Sequence, residues 1–301
     1  MRLWSLAVVI AVAIPPAGPA GAARMAGAAP MVARPASAQA APATALDRIL
    51  DTYVRDGLVY YRALKAERGP LDAYVASLDV APATVEAWST PQQVAFWINA
   101  YNALVLRTVV DAYPIRGTTP DYPADSIRQV PGAFDRVAHR VAGRRLTLDQ
   151  IETDVLAGFG DARVVLALGR GAIGSARLRS EAYTAAKLET QLGDAVRECA
   201  THQACVAIDE AAGQVTVTPL VSWRESLFVR TFQMDDSARW NQRSPIERAV
   251  IAMILPHLFQ GEQAFLARDT FRLRFGDFDW RLNDLTGRGR GGADPRRPAA
   301  R

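Results

Sequence analysis

The segment Pro91–Ala112 constrains this chain more than any other. Val94, Trp97, Ile98, Tyr101, Leu104, Val105, Thr108 and Val109 recur at three- and four-residue intervals. That spacing gathers apolar side chains on one face of an α-helix. Pro91 suits a first turn, where its missing N–H is not needed, and Pro114 stops the helix. A helix this long and this apolar must lie against a core. Within it, Asn99 and Asn102 sit three apart, flanked by Trp97 and Tyr101. Asn is poor in helix interiors and, once buried, must find partners for its amide. Either the pair ties the helix to a loop, or it lines a pocket.

The remaining pattern is mixed. Ala45–Arg55, with Leu46, Ile49, Leu50 and Val54 on one face, reads as a helix stopped by Gly57. Leu71, Tyr74, Val75 and Leu78 repeat that periodicity. Residues 114–132 read as a loop. Val137–Leu148 reads as a hairpin turning at Ala142-Gly143-Arg144. Thr147 and Gln150 have capping-box spacing and open a helix through Leu156. Arg163–Leu168 is a short apolar run, read as a buried strand. Thr184 is expected to cap a helix over Ala185–Glu198, and Val206–Ile208 with Val215–Val217 to form a second hairpin around Gly213. From Trp223 onward the pattern is mostly helical, notably Pro245–Leu258. The fold class is therefore α+β: a helix-rich single domain over residues 41–285 with a small antiparallel sheet of short hairpins.

Charge placement excludes a nucleic-acid binder. The chain of 301 residues carries a formal +4. Arg2, Arg24 and Arg34 lie in residues 1–40 without an acid, and five arginines lie in residues 286–301 against Asp294 alone. The body between them is mildly acidic and offers no basic footprint. Residues 1–40 read as an address. Arg2 precedes an apolar run from Leu3 to Ile14, and Ala38-Gln39-Ala40 is a cleavage pattern, with Ala20-Gly21-Ala22 an earlier candidate. An uncleaved anchor is the rival, disfavoured because the apolar run is short for a membrane span. The expected location is periplasmic or secreted, with no stable membrane span after cleavage. Residues 286–301, rich in Gly, Arg, Ala and Pro, read as a disordered arm.

Cys199 and Cys205 are the only cysteines. Their even count, close spacing and exported setting point to a disulfide; the spacing does not match a zinc site. Gly169-Arg170-Gly171-Ala172-Ile173-Gly174 fits a dinucleotide fingerprint, but the next strand signal and its acid, Asp209, come far too late in the chain. No cofactor or metal is expected.

Several segments carry a resemblance. Gly57-Leu58-Val59-Tyr60-Tyr61, Phe96–Leu104, Leu146–Glu152, Phe159–Arg163, Leu178–Thr184, Trp223 and Asp279–Asn283 are similar, in the expected order, to the family called domain of unknown function 547. The resemblance covers about residues 45–285 and implies a fold more than a function. Many members have Asn-Cys where this chain has Gly169-Arg170, Ser-Cys-Pro-Pro where it has Gly174-Ser175-Ala176-Arg177, and His where it has Thr153. A nucleophile–base pair of that kind is therefore missing here.

The resulting expectation is a binding protein with a degenerate site. Glu152, Asn99, Asn102, Ser175 and Trp280 gather around the glycine turn. Its backbone amides, with Arg170, Arg177 and Arg179, face a small anionic ligand or an envelope partner. These arginines could instead be solvated or paired with acids such as Glu181. Two alternatives stand: a weak hydrolase with Ser175 as nucleophile helped by Glu152, and a structural envelope protein without a ligand.

Overall fold

The computed structural model describes residues 40–234 and 238–287. The leader, except Ala40, and the C-terminal arm beyond Gly287 lie outside the described residues. Helix α1 (Ala40–Tyr53) buries Leu46, Ile49 and Leu50. Gly57 does more than stop it. Asp56 and Gly57 both take positive φ, 50° and 78°. They turn the chain back into a hairpin of β1 (Val54–Arg55) and β2 (Leu58–Val59). Short helices α2 (Tyr61–Ala66), α3 (Gly69–Ser77) and α4 (Pro82–Glu86) follow, burying Leu64, Leu71, Tyr74 and Val85.

Helix α5 (Thr90–Ala112) runs through the middle of the first apolar cluster. Every residue from Val94 to Leu106 is buried, so this helix is covered all round rather than on one face. Gln92 Oε1 accepts from Ser89 N at 2.9 Å at its start. After the loop come β3 (His139–Val141) and β4 (Arg144–Leu146), antiparallel about a turn at Ala142 and Gly143. The capping box is present. Gln150 N donates to Thr147 Oγ1 at 3.2 Å, and Thr147 N to Gln150 Oε1 at 2.9 Å. It opens α6 (Leu148–Gln150), which passes into a π-helical turn over Ile151–Leu156.

Two expectations fail next. Residues Ala162–Ala167 form a 3-10 helix, not a strand. Asp161 accepts from Arg163 N at 2.9 Å and starts the helix locally. A short apolar run cannot by itself separate buried strand from buried helix. Thr184 does not cap α7, which begins later, at Leu188, and ends at Thr201. Instead Gln191 reaches back from inside the helix to accept from Thr184 N at 3.0 Å.

β5 (Val206–Asp209) and β6 (Gln214–Val217) form the second hairpin. Helices α8 (Pro219–Trp223), α9 (Glu225–Thr231), α10 (Pro245–Ile254) and α11 (Gln260–Ala267) pack with α7 into a second cluster. β7 (Arg272–Phe275) then adds to β6 in parallel. It lies in the stretch read as mostly helical. Its exposed Arg272 and Arg274 alternate with half-buried Leu273 and Phe275, a two-residue period too short to stand out. The result is a helix-rich α+β fold with small sheets of two or three strands. Among the described residues no helix is long and apolar enough to cross a membrane.

Candidate functional site

The two asparagines of α5 are backbone clamps. Asn102 donates from Nδ2 to Ala167 O at 3.1 Å and accepts at Oδ1 from Gly169 N at 2.8 Å. Asn99 does the same at Tyr183, donating to its carbonyl at 2.8 Å and accepting from its N–H at 2.9 Å. A neutral side-chain amide presents a donor and an acceptor side by side to the passing backbone. The clamps pin residues 167–169 and 183 against α5.

The glycine turn that follows is closed to anions, contrary to the expectation. Gly169 N is held by Asn102, and Arg170 N donates to Ser175 Oγ at 2.9 Å. Ile173 N and Gly174 N donate at 2.8 Å to the carbonyls of Arg281 and Asp279, and Ser175 N to Ala172 O. The glycines serve close approach. A Cβ on Gly174 would lie 2.6 Å from Asp279 N. One on Gly171, at φ 68°, would meet Val105 and Val109 of α5. Segment 279–283 therefore lies where a ligand was expected.

Arg170 also departs from its expected place. Its guanidinium turns inward, 3 % exposed, and donates to Glu152 Oε1 at 2.8 Å and Leu168 O at 3.2 Å. Arg224 pairs with the same oxygen at 3.0 Å. The π-helical turn carries Glu152 into this buried position. Burial alone would raise the Glu152 pKa, but the charges of Arg170 and Arg224 more than reverse it and hold the carboxyl below the usual range. The Tyr101 hydroxyl is buried in the same field without a hydrogen-bond partner. Arg179 is likewise occupied, 2.9 Å from Glu181 and 3.6 Å from both Asp194 and Glu198. Only Arg177 stays half-exposed, 3.2 Å from Asp56 and 3.6 Å from Glu198.

Ser175 and Arg177 line a cleft of about 280 Å³ with Glu198, His202, Leu58 and Leu220. Cys199 and Cys205 form part of its wall and are disulfide-bonded, with Cα atoms 5.1 Å apart. His202, in the loop between the two cysteines, is a cleft residue that no sequence pattern links to position 175. No base is bonded to Ser175. Its oxygen accepts from Arg170 N, and His202 Nδ1 accepts from Ala204 N at 3.3 Å. Glu152 does not line the cleft. Thr153 is exposed and donates to Asp149 O, so it replaces no base.

Asn102, Ser175, Arg170 and Glu152 thus form one connected network, with Asn99 a turn away on its own clamp. Trp280 does not join it. Its backbone neighbours bond the turn, but its ring stacks on Trp223 at 6.2 Å and lies tilted against Phe278 at 4.4 Å.

Residues 85–198 match the family model described as protein of unknown function, DUF547. Over that stretch the chain is similar to the DUF547 family. The DUF547 segment contains both asparagine clamps, the buried ion network and Ser175; His202, Cys205, Trp223 and Trp280 fall outside it. No curated protein and no solved structure matches the chain.

Proposed function

We propose that this is an exported, non-catalytic binding protein whose ligand or partner places an anionic group in the cleft over Ser175. One observation carries the reading: the Ser175 hydroxyl accepts a backbone hydrogen bond from Arg170 N, and among the described residues no base is hydrogen-bonded to it. Without a base, a serine hydroxyl stays protonated and unreactive. The cleft has the size and mixed lining of a small-ligand site, and Arg177 is the cation at its mouth. Because Asp56 and Glu198 already neighbour Arg177, an incoming anion exchanges partners rather than finding a bare charge, and affinity is modest. The leader-like N-terminus and the bonded cysteine pair support export.

Calorimetric titration of the mature protein with small carboxylates and phosphates tests this. Saturable binding, weakened about threefold to tenfold by Arg177→Ala, is the expected outcome. No binding by the whole panel would leave the structural envelope reading. His202 in the same cleft favours a second reading, a weak hydrolase. Activity on activated esters that disappears in both Ser175→Ala and His202→Ala would establish it.

A further inference from the structure

Arg128 stands apart from the arginines around the cleft. Its guanidinium lies over three rings, 4.6 Å from the centroid of Trp280, 5.1 Å from Phe134 and 5.6 Å from Tyr122. Among the described residues no carboxylate pairs with it within 4.0 Å. The loop beneath it is pinned. Ser126 Oγ accepts from Arg128 N, and the Gln129 amide bonds Thr119 on both its N–H and C=O and also the Tyr122 carbonyl. A cavity of about 350 Å³ opens beside it, lined by Arg128, Tyr122, Phe134, Asp135 and Arg136. Its lining carries two guanidiniums against one carboxylate.

Rings satisfy the face of a guanidinium but not its edge. The N–H donors lie in the plane, and since Arg128 is exposed they face solvent, which a ligand acceptor can replace. A planar carboxylate takes two of them in parallel. The aromatic wall suits an apolar body attached to that carboxylate. Because Asp149 lies in the field of Arg128 and Arg136 sits 3.9 Å from Asp135, the modest local positive charge matches a monoanion better than a phosphate dianion. We propose that this cavity is a binding site for a small organic monocarboxylate. It shares no residue with the cleft over Ser175 and does not depend on that reading.

The test is tryptophan fluorescence of the full mature protein titrated with benzoate and hexanoate, and with the neutral benzamide and hexanamide. Trp280 under Arg128 is the reporter. The expected result is saturable quenching by at least one acid, about tenfold weaker or absent for its amide. Arg128→Gln should weaken it at least tenfold and Arg128→Lys less, since lysine keeps the charge but loses the fork. Arg177→Ala should leave it unchanged. Absence of saturation by both acids, equal binding of acid and amide, or indifference to Arg128→Gln overturns the proposal. The acid–amide comparison needs no variant and holds even if one fails to fold.

Discussion

Arg170 and Glu152 pair at 2.8 Å with side chains only 3 % and 7 % exposed. Such a pair contributes little net stability against a well-packed apolar alternative, because both charges give up hydration. Removing one partner is far worse, since the other charge is left stranded. Glu152→Gln would leave Arg170 buried without its counter-charge, and Arg224 without its carboxylate. The expected loss is about 3–5 kcal/mol by urea unfolding. Glu152→Leu with Arg170→Met should recover part of it. A single-variant loss under about 1 kcal/mol would show that the network is looser than its geometry.

The same carboxyl sets an acid limit. The folded Glu152 pKa is depressed, so its contribution is complete above the unfolded value, about 4.3. It is lost as pH falls through the lower folded value. His139 adds an earlier decline. Burial first, then Arg107, lowers its pKa. Below about pH 6.5 the unfolded chain takes up a proton that the folded one resists. Midpoint-versus-pH curves should therefore fall in two stages. His139→Gln should shrink the upper, to which the likewise lowered His257 also contributes. Glu152→Gln should shrink the lower, to which other lowered carboxylates such as Glu181 and Asp279 also contribute.

What could be read ahead from the sequence was local. The α5 pattern, the Thr147–Gln150 box, both hairpin turns and the cysteine pair each lie within a few residues of their cause. The failures share another origin. Whether the turn amides are open depends on segment 279–283, which arrives from the far end of the chain. Arg163–Leu168 has the composition of a strand but no neighbour to pair with, so its local cap decides. Arg170 has glycine neighbours and looks exposed, yet a π-helical turn brings Glu152 beneath it. His202 reaches the cleft only because α7 and β5 carry the cysteine loop there.

Asn102 offers a sharper stability test than the ion network. Asn102→Ala leaves Gly169 N and Ala167 O buried without partners, at a cost of about 2–4 kcal/mol. Asn102→Asp keeps the acceptor for Gly169 N but sets a carboxylate against the Ala167 carbonyl. It should be as damaging near neutral pH and milder in acid, where a protonated carboxyl can donate. Equal damage at all pH values would mean that the donor half of the clamp is unimportant.

Gly174→Ala probes the closure of the turn. An added Cβ would lie 2.6 Å from Asp279 N and 3.1 Å from Asp279 O, both backbone atoms that cannot rotate away. Segment 279–283 must shift, breaking the bond from Gly174 N to Asp279 O. A loss of about 2–4 kcal/mol is expected, with faster amide exchange at residues 173 and 174. Gly158, where an added Cβ meets nothing within 4 Å, is the control, and its alanine variant should be nearly neutral.

The disulfide links stability to the cleft. Cys199 ends up near the C-terminus of α7, Cys205 precedes β5, and both stand in the cleft wall with His202 between them. No cysteine is free, so thiol titration of denatured, unreduced protein should find none. Closing so short a loop stabilises by about 2 kcal/mol. Cys199→Ser with Cys205→Ser should lower the unfolding free energy by about that amount. It should also loosen the wall that carries His202 and weaken any anion held at Arg177. The cavity at Arg128 lies among other residues, so benzoate or hexanoate binding there should not change. Equal weakening at both places would mean that the double variant perturbs the whole fold. Two free thiols in the unreduced protein would remove the cross-link itself.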